Sequence, residues 1–129
     1  MAFYRANMGA LSATSLWTNS SPTSNFSGQS VSLSSSIANY KYIGIKYRAS
    51  TSLTTEMEFL VTPATLQKSL STANNNTLTF GARNSSNQRY DRGVTYTSNT
   101  SLTFTEASRV NTSGTNNGFC IPTKITGYK

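Results

Sequence analysis

The stretch Tyr40-Lys41-Tyr42-Ile43-Gly44-Ile45-Lys46-Tyr47-Arg48 decides the fold class. Side chains alternate sides along an extended chain, so Ile43, Ile45 and Tyr47 share one face and Tyr42, Gly44, Lys46 and Arg48 the other. One apolar and one polar face is the mark of a half-buried β-strand. The same period of two recurs on both sides of this stretch. Residues 54–61 set Met57, Phe59 and Val61 against Glu56, Glu58 and Leu60. Residues 77–82 alternate Leu78 and Phe80 with Thr77 and Thr79. Residues 88–97 carry Tyr90, Arg92, Val94 and Tyr96 on one side. Leu102 and Phe104 mark a further short strand, and residues 119–128 a closing one, where Pro122 signals an edge position or an irregularity. Upstream, residues 29–34 alternate Val31 and Leu33 with serines, residues 15–18 carry Trp17, and residues 2–7 form a short first strand or an attachment arm.

Turn chemistry separates these runs. Residues 19–28 contain Pro22 and Gly28, with Phe26 as the apolar anchor of the loop. Asn74-Asn75-Asn76, residues 84–87 and the polar loop 111–118 punctuate the rest. Residues 63–70 tolerate one helical turn. About eight or nine short strands, with turns every 8–12 residues or so, predict an all-β, single-domain antiparallel β-sandwich of jelly-roll-like form. Residues 1–13 are expected to be an N-terminal arm or first strand, a possible attachment segment, and residues 14–129 the sandwich domain.

Composition narrows the function classes. The chain has 129 residues, 36% hydrophobic, 11% aromatic and only 12% charged. Its abundant Ser, Thr and Asn suit the outer faces of strands and the turns between them. The net charge of +7 comes from eleven basic and four acidic side chains. It favours an anionic partner, yet the basic residues are scattered without a run of three, unlike the dense stripe of a nucleic-acid-binding protein. No nucleic-acid partner is therefore expected. No segment approaches an apolar membrane span, and the first ten residues lack a secretory pattern, so folding in a cytoplasm without membrane insertion is expected.

The search for chemistry is mostly negative. One cysteine, Cys120, precludes an intrachain disulfide. Flanked by Phe119 and Ile121, it reads as a buried apolar residue. With no histidine in the chain, neither a Cys–His nucleophile nor a zinc site is available. Glu56 and Glu58 share a strand face. They invite a cation-site or glycosidase reading, but no aspartate-rich loop or acid-lined cleft accompanies them. Pairing with Lys46 or Arg48 on the neighbouring strand is the plainer expectation. No enzyme activity, metal or cofactor is expected. The aromatic residues Trp17, Tyr40, Tyr42, Tyr90, Tyr96 and Tyr128 are the binding candidates, able to stack on sugar rings or fill an interface. With the neighbouring cations, the candidate interface or glycan-binding set is Tyr42, Lys46, Arg48, Tyr90, Arg92 and Tyr96. Trp17 is expected in the core.

Three blocks carry a family resemblance. They are Leu16-Trp17-Thr18-Asn19 through Pro22-Thr23, Phe26 and Gln29 to Val31 and Leu33; the strand from Tyr40 to Arg48; and the ending from Asn117 to Lys129. Together they resemble a small all-β module of bacteriophage and prophage tail-fibre tips and free-standing virion proteins. Residues 52–114 match only in general β-character. The resemblance implies a virion structural protein made in the bacterial cytoplasm, most simply a tail-fibre, baseplate or tail-tip component that helps attach to the host. Its partners would be other virion proteins and host cell-surface polysaccharide, and its assembly a homotrimer. Phe3, Tyr4 and Arg5 would lie in the segment attaching it to the virion. A capsid decoration or head-fibre protein is the alternative, and a stand-alone carbohydrate-binding module a second.

Overall fold

Strand β3 (Tyr42–Ser50) follows its alternation closely: Ile43 and Ile45 are fully buried, Tyr47 nearly so, and Tyr42 is 40% exposed. Around it the computed structural model describes residues 11–69 and 77–129. The remaining strands are β1 (Ala13–Thr18), β2 (Gln29–Ser32), β4 (Glu56–Val61), β5 (Leu78–Arg83), β6 (Arg89–Ser98), β7 (Ser101–Arg109) and β8 (Phe119–Tyr128). They form two four-stranded antiparallel sheets, ordered β1-β8-β3-β4 and β2-β7-β6-β5. The fold is an all-β sandwich. The β1–β8 and β2–β7 pairings bring distant parts of the chain together, as in a jelly roll. The β3–β4 hairpin and the β5–β6–β7 meander each stay within one sheet.

The region after β4 does form a helical turn, α1 (Pro63–Gln67). Thr62 caps it by accepting the Thr65 N–H at 3.3 Å, and Pro63 enters where no backbone donor is needed. Leu66 is its buried anchor. A 3-10 turn at Ile37–Asn39, not foreseen in the sequence, buries Ile37 between β2 and β3. The expected strand at residues 2–7, with Phe3, Tyr4 and Arg5, lies outside the described residues, as does the Asn74-Asn75-Asn76 turn. The boundary expected at residue 13 falls inside the structure, because Ala13 already pairs with Tyr128.

The core fills the space between the sheets. Tyr47 and Phe59 of the first sheet meet Phe80 of the second at 4.6 and 6.2 Å between ring centroids. Phe80 in turn stands edge-on to Phe104. Phe26 folds in from the loop after β1, edge-on to both Phe104 and Trp17. Its loop is pinned by the Phe26 N–H donating to the Asn117 carbonyl at 3.0 Å. Edge-to-face packing of this kind adds to the burial of large apolar area.

Two bulges shape the first sheet. On β1, Ser15 pairs with Thr126 and Trp17 with Ile125, which leaves Leu16 as the extra residue. Leu16 is buried and the adjacent Trp17 packs on the core as well, which strict alternation would forbid. On β8, Lys46 pairs with Lys124 and Tyr47 with Pro122, skipping Thr123. Pro122 therefore marks an irregularity in a central strand, not an edge: β8 runs between β1 and β3, and the bulge accommodates the missing N–H.

Candidate functional site

The candidate surface is the outer face of the β1-β8-β3-β4 sheet. Tyr42, Gly44, Lys46 and Arg48 point there from β3, as expected from the sequence. Register supplies their neighbours. Tyr42 lies opposite Tyr128 of β8, and Lys46 lies between Lys124 of β8 and Glu58 of β4. Arg48 lies opposite Glu56. Two tyrosines thus stand side by side at one end of a sheet face that carries three cations and two carboxylates further along its strands. Leu60, 54% exposed on the edge strand, adds an apolar rim.

Gly44 makes the centre of this face. It leaves room for the Glu58 side chain to cross β3 and accept a hydrogen bond from the Tyr128 hydroxyl at 2.5 Å. A Cβ at position 44 would come within 2.8 Å of Glu58 Cδ and 2.9 Å of Tyr128 Cε2. Burial and the neighbouring carboxylate push the Tyr128 phenol up to about 12. Glu56 similarly accepts a hydrogen bond from the Thr123 hydroxyl, presented by the β8 bulge.

The carboxylates are therefore engaged by hydroxyl groups of β8 and make no ion pairs with the cations facing them. The cross-strand register expected for Glu56 and Glu58 with Lys46 and Arg48 is present, but the hydrogen bonds run elsewhere. Arg48 is left with its Nε and Nη1 buried and without a hydrogen-bond partner among the described residues; Thr126 Oγ1 is in the same state opposite Gly44. Buried donors without partners are uncommon and costly, and these lie out of solvent reach beneath the face. Lys46, Glu56, Met57 and Glu58 line a shallow depression of about 210 Å³ on this side.

The other sequence candidates lie elsewhere. Tyr90, Arg92 and Tyr96 do share a face, but it is the inner face of the second sheet. Tyr90 is buried and stacks on Phe119 at 3.8 Å. Tyr96 packs half-buried against the core and donates its hydroxyl to Asn99 Oδ1 at 3.0 Å. Arg92 is fully buried. Its Nε donates to the Cys120 carbonyl at 2.8 Å, Nη1 to the Thr105 carbonyl at 2.7 Å and Nη2 to the Phe119 carbonyl at 3.1 Å. The guanidinium also lies 5.2 Å from the Phe26 ring centre. These residues are structural, and Arg92 cannot meet a surface ligand. Burial lowers its pKa to about 10, so it stays charged at neutral pH. Tyr128, which completes the outer face, is reachable from sequence only by pairing β8 with β3. Its ring was visible as a candidate but its neighbours were not.

Cys120 is buried as expected, with its thiol donating to the Tyr90 carbonyl at 3.4 Å and pushed up to about 11 by burial. Among the described residues no group of three or more His, Cys, Asp or Glu side chains is placed to hold a metal ion. No helix among them is long and apolar enough to cross a membrane. Comparison with known proteins adds no identity: no protein-family model and no curated protein matches this chain.

Proposed function

We propose that this chain is a bacteriophage virion structural protein, a tail-fibre, baseplate or tail-tip component that contributes to host-surface attachment. The virion assignment rests on the three sequence blocks that bracket the chain. The attachment role rests on one structural observation: Tyr42 and Tyr128 are paired across β3 and β8 on an outer sheet face, with Lys46 and Lys124 paired further along the same two strands. Tyrosine rings offer a sugar an apolar platform, and the ammonium groups of Lys46 and Lys124 offer donors for the hydroxyl and acid groups of the next units of a polymer. A sheet face shifts little between free and bound states, so it binds without a large ordering cost. The partner that fits is a host cell-surface polysaccharide, with assembly as a homotrimer multiplying a weak single-site affinity.

Fractionation of particles from a lysate of the encoding phage or prophage tests the virion assignment. The chain is expected to sediment with purified particles and to be seen there by peptide mass spectrometry. Recovery wholly in the soluble fraction, with none on particles, overturns it and leaves a free-standing carbohydrate-binding module as the reading of the same face.

A further inference from the structure

The second sheet carries an unassigned feature at the far end of its edge hairpin. Arg83 of β5 and Arg89 of β6 lie directly opposite each other in register. Both are exposed. Like charges directly opposed across a strand pair are destabilising. The hairpin nevertheless holds them firmly. Asn84 Oδ1 accepts from the Ser86 and Gln88 N–H groups at 3.0 and 2.9 Å, and Asn87 takes a positive φ of 62° to close the turn. Arg83 Nη1 is tied to that turn through Asn87 O at 3.2 Å and Oδ1 at 3.1 Å. Arg89 makes no side-chain hydrogen bond among the described residues. Arg109 brings a third guanidinium to the same end, with both terminal nitrogens 3.2 Å from the Gln88 amide.

Between Arg83 and Arg89 lies a depression of about 230 Å³, lined also by Gly81 and Ala82. Gly81 keeps it open on the outward side, where an added Cβ would strike the Tyr90 carbonyl at 2.8 Å and approach Arg89 Nε at 3.5 Å. Asp91, opposite Gly81, is the one carboxylate on this stretch of the outer face.

We infer that Arg83 and Arg89 form a binding site for a phosphate group of an anionic polymer. Two guanidinium groups on opposite sides of one depression suit a tetrahedral anion, which presents oxygens in both directions; a planar carboxylate is satisfied by a single arginine fork. A bound anion also removes the repulsion that the opposed arginines otherwise carry. The site is one group wide and ends at the turn, whereas a nucleic-acid duplex needs a row of cations spaced along its backbone. The observations therefore favour a polyol-phosphate polymer of the cell-wall type. The net charge of +7 draws such a chain in from a distance.

Titration calorimetry and thermal melting of the full chain in chloride buffer test this, with inorganic phosphate and then polyphosphate as probes. Wild type is expected to bind polyphosphate saturably and to melt higher in its presence. The Arg83→Gln/Arg89→Gln double variant is expected to bind at least about tenfold more weakly, while Lys41→Gln, in the other half of the sandwich, binds as wild type does. In chloride alone the double variant should melt no lower than wild type. If it fails to fold, Arg89→Gln alone carries the comparison. Equal polyphosphate binding by wild type and variant overturns the site, as it would if the arginines only guard a sheet edge. Equal affinity for a polyuronate overturns the preference for phosphate, and equal affinity for a short DNA duplex overturns the choice of polymer.

Discussion

Arg92 holds a charged group at the centre of the sandwich, and three backbone carbonyls converge on it, two from β8 of the first sheet and one from β7 of its own. Two of them belong to β8, where Cys120 adopts a positive φ of 49° and breaks the alternation. The guanidinium thus fastens the irregular start of β8 in the first sheet to β6 and β7 in the second. Arg92→Met removes the donors and leaves these buried carbonyls without partners, at a cost of about 1–3 kcal/mol for each one that stays unsatisfied. Urea denaturation is expected to show a loss of about 3 kcal/mol or more. Arg92→Lys recovers only part of it, because an ammonium cannot span the fork. At the neighbouring position, Cys120 should resist a thiol reagent at pH 8 in the folded protein and react fully in denaturant. Burial and the raised pKa both withhold the thiolate. Tyrosine ionisation sets the alkaline limit. Tyr128 is raised to about 12, by burial first and then by Glu58. Tyr47 is raised by burial, its hydroxyl donating to the Gly81 carbonyl across the core at 2.8 Å. The folded state therefore keeps these protons where the unfolded chain loses them. Their contribution is complete below pH 10 and is lost as pH rises toward 12. Equilibrium unfolding followed between pH 9 and 12 should show this decline, and Tyr128→Phe should flatten it.

Strands are where the sequence was most readable, because half-buried sheets alternate. The closing strand was located to the residue, and β3 to β6 within two residues at either end. The failures have local causes. Strand β7 runs on to Arg109, well past the Leu102–Phe104 signal, because Glu106 and Ala107 interrupt the pattern. The bulge at Leu16 lets two successive side chains face inward, which no period of two anticipates. Arg92 shares its face with Val94 and two tyrosines; that apolar company points inward, whereas the charge taken alone points to the surface. On the candidate face, Tyr42, Lys46 and Arg48 were legible from β3 alone. Tyr128, Thr123 and the crossing of Glu58 over Gly44 were not, since they arise from pairing between residues 70 or so apart in sequence. Gly44→Val tests the importance of that crossing. The new side chain meets Glu58 and Tyr128, so a loss of about 1–3 kcal/mol is expected. The Tyr128 pKa should return toward its ordinary value, read by ultraviolet titration.

At the scale of the whole molecule, the two sheets divide the work. Their inner faces supply the packed aromatic core, and their outer faces present different chemistry. The first sheet offers paired tyrosines with mixed charge, the second a threonine- and serine-rich surface leading to the Arg83–Arg89 hairpin. On the latter, Thr103 hydrogen-bonds both Ser30 at 2.7 Å and Thr97 at 2.6 Å, so its hydroxyls are largely occupied with one another. The first sheet instead presents an exposed ring, Tyr42, which is 40% exposed and paired with Tyr128. That contrast is why we propose the tyrosine face as the surface for host recognition. The most direct measurement is equilibrium binding of the purified chain to surface polysaccharide from the host bacterium, wild type against Tyr42→Ala. Saturable binding by wild type, weakened about tenfold or more in the variant at an unchanged melting temperature, is the predicted result. Binding by Tyr42→Ala equal to wild type, or no binding by the wild type, would contradict it.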